Sequence, residues 1–172
     1  MRQSVLNCVS HSALLGICKQ YMRRCHIIWG FVVECVFCRI VEGGLPASVV
    51  ASDEKTMAFM DIQPVNPGHV LVIPKNHACL LSELDETTGA QIFTMATRVA
   101  RALRDSGVKC EGVNLFLADG ESAGQEVPHI HLHVIPRFHG DGFRVRFGSH
   151  YGQRPARSEL NSVAARIAET MH

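Results

Sequence analysis

The sequence predicts an α+β domain built on about five antiparallel strands, with one long helix and a second helix near the C-terminus. Three observations carry that prediction. Short β-rich stretches recur between clusters of Gly, Pro, Asn and Asp, whereas a sustained helical period appears in only one central segment and again at the end. A chain of 172 residues with 47% hydrophobic content can bury one core, and a second full domain would be cramped.

The elements follow in order. Residues 1–34 hold Arg2, Lys19, Arg23 and Arg24 and no acidic residue before Glu34, so they read as an N-terminal extension, poorly ordered or the product of a start site placed too early. Mitochondrial targeting is the lesser alternative, because serines are few and the amphipathic pattern is weak. The domain proper runs from 35 to 172. The turn Gly43-Gly44-Leu45-Pro46 precedes two β-rich stretches, Ala47 to Ala51 and Thr56 to Met60, that read as a hairpin around Ser52-Asp53-Glu54-Lys55.

After the loop Gln63 to Gly68, the aliphatic run His69 to Ile73 is stopped by Pro74, which suits a short buried strand. Ser82-Glu83-Leu84-Asp85 resembles an N-cap with acidic residues in the first turn. Ile92, Ala96, Val99 and Leu103 then recur at helical spacing until Gly107 supplies a stop. Val113 to Leu117 and Ile130 to Ile135 are two further strands, and Leu160, Val163, Ala164 and Ile167 mark an amphipathic helix within Ser158 to Met171.

Charge excludes little by itself but is informative by its balance. Seventeen basic and sixteen acidic side chains leave a formal charge of +1, without the asymmetry expected of a nucleic-acid or anionic-membrane binder. No apolar run is long enough to span a bilayer. The seven cysteines are odd in number and mostly scattered, which favours reduced thiols in a cytoplasmic protein over a disulfide scaffold.

The chemistry concentrates in Pro128-His129-Ile130-His131-Leu132-His133-Val134-Ile135. In a strand, alternate side chains share a face, so the three imidazoles project together at intervals of roughly 6.5 to 7 Å and the aliphatics project oppositely. Hydrogen-bonded histidines on a half-exposed strand are the plain alternative. Against it, the preceding loop Asp119-Gly120-Glu121-Ser122-Ala123-Gly124-Gln125 has glycines that let backbone N–H groups converge on an anion. Neutral imidazole is a competent nucleophile near pH 7, and a phosphate cradle beside it suggests phosphoryl or nucleotidyl transfer.

The run His129 to Ile135 resembles the signature of the histidine-triad (HIT) superfamily. Cys35 to Ile40, Ala58 to Ile62, Pro67 to Lys75 and Ala123 to Pro128 follow the same family's order, so the resemblance covers about residues 35 to 147. It implies the HIT-like fold, a homodimer and a purine nucleotide substrate. His131 would attack the α-phosphorus, His133 would contact the phosphate oxygens, and His69 would complete a hydrogen-bonded network with His129. Gln125 would lie near the leaving or attacking oxygen, and backbone amides from Gln125 to Val127 would hold the phosphate. Asp61 resembles the carboxylate that takes the ribose hydroxyls. Phe37, Ile40, Phe59, Ile62 and Leu71 resemble the base pocket, and each is equally explicable as core.

Two positions depart from the family pattern. Ala118 stands where many relatives carry a phosphate-contacting asparagine, and Glu126 where several carry serine or threonine. A carboxylate aimed inward would repel phosphate, so Glu126 is expected to point away. Arg137, Arg144 and Arg146 are candidate contacts for a leaving group or a dimer partner, with a solvated surface role as the alternative.

Cys35-Val36-Phe37-Cys38 has the spacing for two thiolates on one tetrahedral metal, which still lacks two ligands. The resemblance supplies them as His77 and His129, giving a structural zinc; free thiols and a redox pair are the alternatives, and no organic cofactor is implied. The resulting expectation is hydrolysis at the α-phosphate of an adenosine phosphoramidate or a dinucleoside polyphosphate through a nucleotidyl-histidine. A zinc-stabilised nucleotide-binding module and a nucleotidyl transferase are the rivals.

Overall fold

The computed structural model describes residues 25–28 and 31–171. Most of the N-terminal extension therefore lies outside the described residues, as does any targeting role for it. Within it, the backbones of β1 (Cys25–Ile28) and β2 (Phe31–Glu34) pair antiparallel, Cys25 opposite Glu34.

The main sheet has five strands: β3 (Val49–Ser52), β4 (Thr56–Met60), β5 (Val70–Pro74), β6 (Gly112–Leu117) and β7 (Leu132–Arg137). They lie in the order β3-β4-β5-β7-β6, and every neighbouring pair is antiparallel. The expected antiparallel sheet of five strands is present. The helices are a short α1 (Val36–Val41), the long α2 (Glu86–Asp105) and, towards the C-terminus, α3 (Arg157–Ala168).

Helix α2 starts at Asp85, whose carboxylate accepts the backbone N–H of Thr88 at 2.9 Å. The expected start at Ser82 is displaced by three residues because Leu81–Glu83 closes its own 3₁₀ turn first. Ile92, Met95, Ala96, Val99 and Leu103 of α2 are buried with Ala58, Val70, Val72, Ile130, Leu132 and Val134 of the sheet segments, so this face is the principal core. Helix α1 was not expected. Its valines and phenylalanine are poor helix formers, and burial of Phe37 and Cys38 overrides propensity.

The opposite face of the sheet carries a second core of Cys35, Phe37, Cys38, Phe59, Leu71 and Ile73. Register aligns Phe59 with Leu71, Leu71 with His133, and His133 with Phe116, so one row across that face leads to the third histidine. Gly68 introduces β5 with φ at +96°, where a Cβ would lie 2.8 Å from Val108 Cγ1. Only glycine permits that approach, which sets the entry of His69 into the site.

Residues 142–172 form a unit of their own. Within it, Phe147 and Tyr151 stack with centroids 3.9 Å apart, and α3 shows Leu160, Val163 and Ile167 exposed. Arg144 and Arg146 are exposed. No helix among the described residues is long and apolar enough to cross a membrane.

Candidate active site and metal centre

The histidine segment is strand only in part. The ladder begins at Leu132, not at Ile130, because the backbone before it is committed elsewhere. The N–H of His129 donates to Val127 O at 2.8 Å across Pro128, and that of Ile130 donates to Ala78 O at 2.7 Å. Alternation nevertheless survives: Ile130, Leu132 and Val134 join the principal core.

Hydrogen bonds fix which nitrogen of each ring carries the proton. His131 Nδ1 lies 2.6 Å from the carbonyl oxygen of His129, and since a carbonyl only accepts, the neutral ring has its proton on Nδ1 and its lone pair on Nε2. Phe37 meets the His131 ring edge to face at 5.4 Å and holds its plane.

His69 and His133 form a second, linked pair. The N–H of Val65 donates to His69 Nδ1 at 3.2 Å, so His69 carries its proton on Nε2 and donates it to His133 Nδ1 at 2.9 Å. His133 then carries its own proton on Nε2. Burial is the main reason both rings stay neutral: it lowers the His69 pKa against the pull of Asp61, and together with the neighbouring His131 and His69 it brings His133 to about 4. The rings of His131 and His133 stand 4.9 Å apart. A lone pair and an N–H donor are thus offered side by side, the pairing a phosphate centre and its oxygens require.

Asp61 closes this group. Its Oδ1 accepts the N–H of Gln63 at 2.8 Å, and its Oδ2 lies 3.4 Å from His69 Nδ1.

His129 behaves differently. Its Nε2–H donates to the Pro74 carbonyl at 2.9 Å, so Nδ1 holds the lone pair, and burial first of all depresses its pKa to about 4. That lone pair faces Cys35 Sγ at 3.4 Å, Cys38 Sγ at 3.7 Å and His77 Nδ1 at 3.2 Å, while Cys38 Sγ and His77 Nδ1 are 3.3 Å apart. A tetrahedral zinc, with Zn–N near 2.0–2.1 Å and Zn–S near 2.3 Å, separates its ligands by about 3.4 Å for N–N and about 3.6 Å for N–S. The donor set and its spacing fit that ion. Four electron-rich atoms within 4.8 Å of one another, three of their residues buried, are costly without a cation between them.

The loop before the histidines is a tight turn. Gly120 and Gly124 have φ of +89° and +86° around the 3₁₀ turn Glu121–Ala123. Gln125 locks it, with Oε1 accepting the Gly120 N–H at 2.9 Å and Nε2 donating to Cys79 O at 2.8 Å.

Residues 42–140 match the HIT domain. The chain belongs to the HIT family. Its members are nucleotide-binding hydrolases and transferases. A solved HIT family protein from Bacillus subtilis is 37% identical, with a TM-score of 0.73 over 80% of this chain and 97% of its own. A zinc-bound histidine triad family protein from Mycobacterium smegmatis is 39% identical, with a TM-score of 0.62 over the same shares, 80% and 97%. An adenosine 5′-monophosphoramidase of Schizosaccharomyces pombe is 37% identical over 61% of this chain and 75% of its own.

Against the HIT pattern, the structure brings together His69, His131, His133 and Asp61 as one group and Cys35, Cys38, His77 and His129 as another. The partner of His69 is His133, and the network expected with His129 is not formed, because the ring of His129 is turned to Pro74 and the cysteines. Phe37, Phe59 and Leu71 are buried beneath the histidines with Ile40 and Val127 packed on them, whereas Ile62 is 92% exposed. Glu126 is exposed and Ala118 is buried.

Arg137 is held by Asp141 through two bonds, at 2.5 and 2.8 Å, and also donates to Asn114. The buried Asn66 donates to Pro136 O and to Asp141 Oδ2, both at 2.9 Å, and its carbonyl accepts the His69 N–H at 3.0 Å. This bracing of the His69 loop was missed in the sequence. Asn66-Pro67-Gly68 signalled a turn, but its partners lie about seventy residues away.

Proposed function

We propose that this chain hydrolyses purine nucleotide substrates at the α-phosphate, with an adenosine phosphoramidate or a dinucleoside polyphosphate as substrate class, through a nucleotidyl-His131 intermediate. The observation that carries this reading is the tautomer assignment: His131 Nδ1–H is spent on the His129 carbonyl, leaving Nε2 as a lone pair beside the outward N–H of His133. His131 Nε2 attacks phosphorus, the bond to the leaving amine or phosphate breaks as the leaving amine takes up a proton from solvent, and His133 donates a hydrogen bond to a phosphate oxygen. Water then attacks the same phosphorus, releasing a proton to solvent, and His131 departs as the lone-pair nitrogen. Asp61 takes the ribose hydroxyls, and the amides of Glu126 and Val127 take phosphate oxygens, that of Gln125 being spent on the Gly120 carbonyl at 3.2 Å.

Cys35, Cys38, His77 and His129 hold a structural zinc, which when bound ties the segment of α1 to the histidine segment and leaves no open position for catalysis. A homodimer accords with the exposed edge strand β6, where Leu115 is 39% and Phe116 53% exposed. A cytoplasmic location accords with Cys35, Cys38, Cys79 and Cys110, none of which is in a disulfide.

The test is a single-turnover incubation of wild type and His131→Ala with an adenosine phosphoramidate and, separately, a diadenosine polyphosphate, read by intact mass. Adduct on wild type alone supports the reading, and the faster substrate names the leaving group. Binding of AMP with neither adduct nor turnover would overturn it in favour of a zinc-stabilised nucleotide-binding module.

A further inference from the structure

Cys79 belongs to no motif, yet its polar groups hold two parts of the site together. Its Sγ lies 3.2 Å from His77 Nε2, and its carbonyl accepts Gln125 Nε2–H at 2.8 Å. Its N–H donates to Glu83 Oε2 at 2.6 Å, which fixes the peptide between them. With Nδ1 of His77 turned to the cysteines and to His129, the ring proton resides on Nε2 and the sulfur of Cys79 receives it. Gln125 continues the line, because its Oε1 accepts the Gly120 N–H at 2.9 Å. Three consecutive contacts therefore run from a metal-facing ring, through Cys79, to the turn that precedes the histidines.

A parallel joint exists at His129, whose ring faces the cysteines and whose carbonyl holds the Nδ1–H of His131. The two joints are themselves tied, since Ile130 N–H donates to Ala78 O at 2.7 Å. Groups outside a metal's ligand set fix ring orientation and ligand basicity, and losing one typically costs about 10- to 100-fold in affinity.

We infer that Cys79 is a positioning residue that couples the Cys35, Cys38, His77 and His129 centre to Gln125 and the Gly120 turn. This rests on the zinc and nucleotidyl-transfer reading given above. Its thiol orients His77, and its carbonyl, carried on the same short loop, orients Gln125. Filling the metal centre therefore sets the geometry of the Gly120 turn.

The experiment compares wild type, Cys79→Ala and Cys79→Ser, each with zinc and after chelation. Zinc affinity is read by competition with a chromophoric chelator, and geometry by the NMR signals of the Gly120 N–H and the Gln125 side-chain amide. Cys79→Ala weakens zinc by about tenfold or more, and Cys79→Ser, which keeps an acceptor, by less. Chelation of wild type moves both NMR signals, and zinc-saturated Cys79→Ala moves them in the same direction.

Unchanged affinity in Cys79→Ala, or signals indifferent to chelation in wild type, would overturn the inference. Should Cys79→Ala fail to fold, the wild-type comparison still decides, since signals that stay fixed on chelation refute the coupling. Absence of any nucleotidyl adduct on wild type would sink the proposed reaction, while the affinity and NMR results would continue to test Cys79.

Discussion

The two histidine clusters are made of the same residue type, and the segment 129–133 contributes to both, yet their chemistry is opposite. Around His129 the lone pairs converge: Nδ1 of His129, Nδ1 of His77 and two sulfurs face one point. Around His133 donors and acceptors alternate instead, from Val65 N–H to His69 to His133. What separates them is the backbone group that occupies the remaining ring nitrogen. The Pro74 carbonyl takes a proton from His129 and turns a lone pair towards the cysteines, whereas the Val65 amide gives a proton to His69 and turns an N–H towards His133. One cluster offers only lone pairs, which calls for a cation, and the other sets His133, with its outward N–H, beside the Asp61 carboxylate.

The largest effects come from breaking one cluster while sparing the other. His131→Ala should abolish turnover, by about a thousandfold or more, while nucleotide affinity stays within about tenfold. Steady-state kinetics with AMP titration checks this, and a mutant as active as wild type would end the assignment of the nucleophile. Chelation acts on the other cluster and should lower Tm. Zinc at a thousandfold its Kd contributes about 4 kcal/mol, which corresponds to about 8 to 16 °C for a chain of this size. Calorimetry with and without chelator measures it, and an unchanged Tm at confirmed metal loss would remove the structural role.

The division between the clusters was only half legible in the sequence. Alternation in His129 to Val134 showed which side chains share a side, because that depends on local period alone. It could not show that the ladder starts at Leu132, since the Ala78 carbonyl that captures Ile130 N–H arrives from a distant loop. The five strands and α2 were legible for the same local reason, and α1 was not, since it is held by burial of Phe37 and Cys38 against Phe59, Leu71 and Ile73. Cysteine spacing marked two ligands. The carbonyls of Pro74 and Cys79, which carry no side-chain identity, left no trace in the sequence.

A smaller effect is expected at the entry to the donor–acceptor chain. Gly68→Ala places a Cβ 2.8 Å from Val108 Cγ1 at a φ of +96°, so strain and crowding should cost about 2 to 3 kcal/mol. Denaturant unfolding gives the value. Because Gly68 precedes His69, activity should fall more than metal affinity does, and equal losses in both would show that the clusters are not separable there.

The smallest effect is a pH dependence, to which both clusters contribute and of which His133 carries one part. His133 titrates near 4 in the folded chain against about 6.5 when unfolded, so above 6.5 it is neutral in both states and costs nothing. Between 6.5 and 4 the unfolded chain takes up a proton that the folded chain refuses, and stability falls with pH through that window. Below about 4 both states are protonated and the loss from this group is complete. With its side chain 21% exposed, the loss is about 1 to 3 kcal/mol. Replacing His133 by Gln removes the titration and should flatten the slope of unfolding free energy between pH 6.5 and 4 at constant metal occupancy. An unaltered slope would mean that the proton goes elsewhere, and that burial of His133 is not what keeps it neutral.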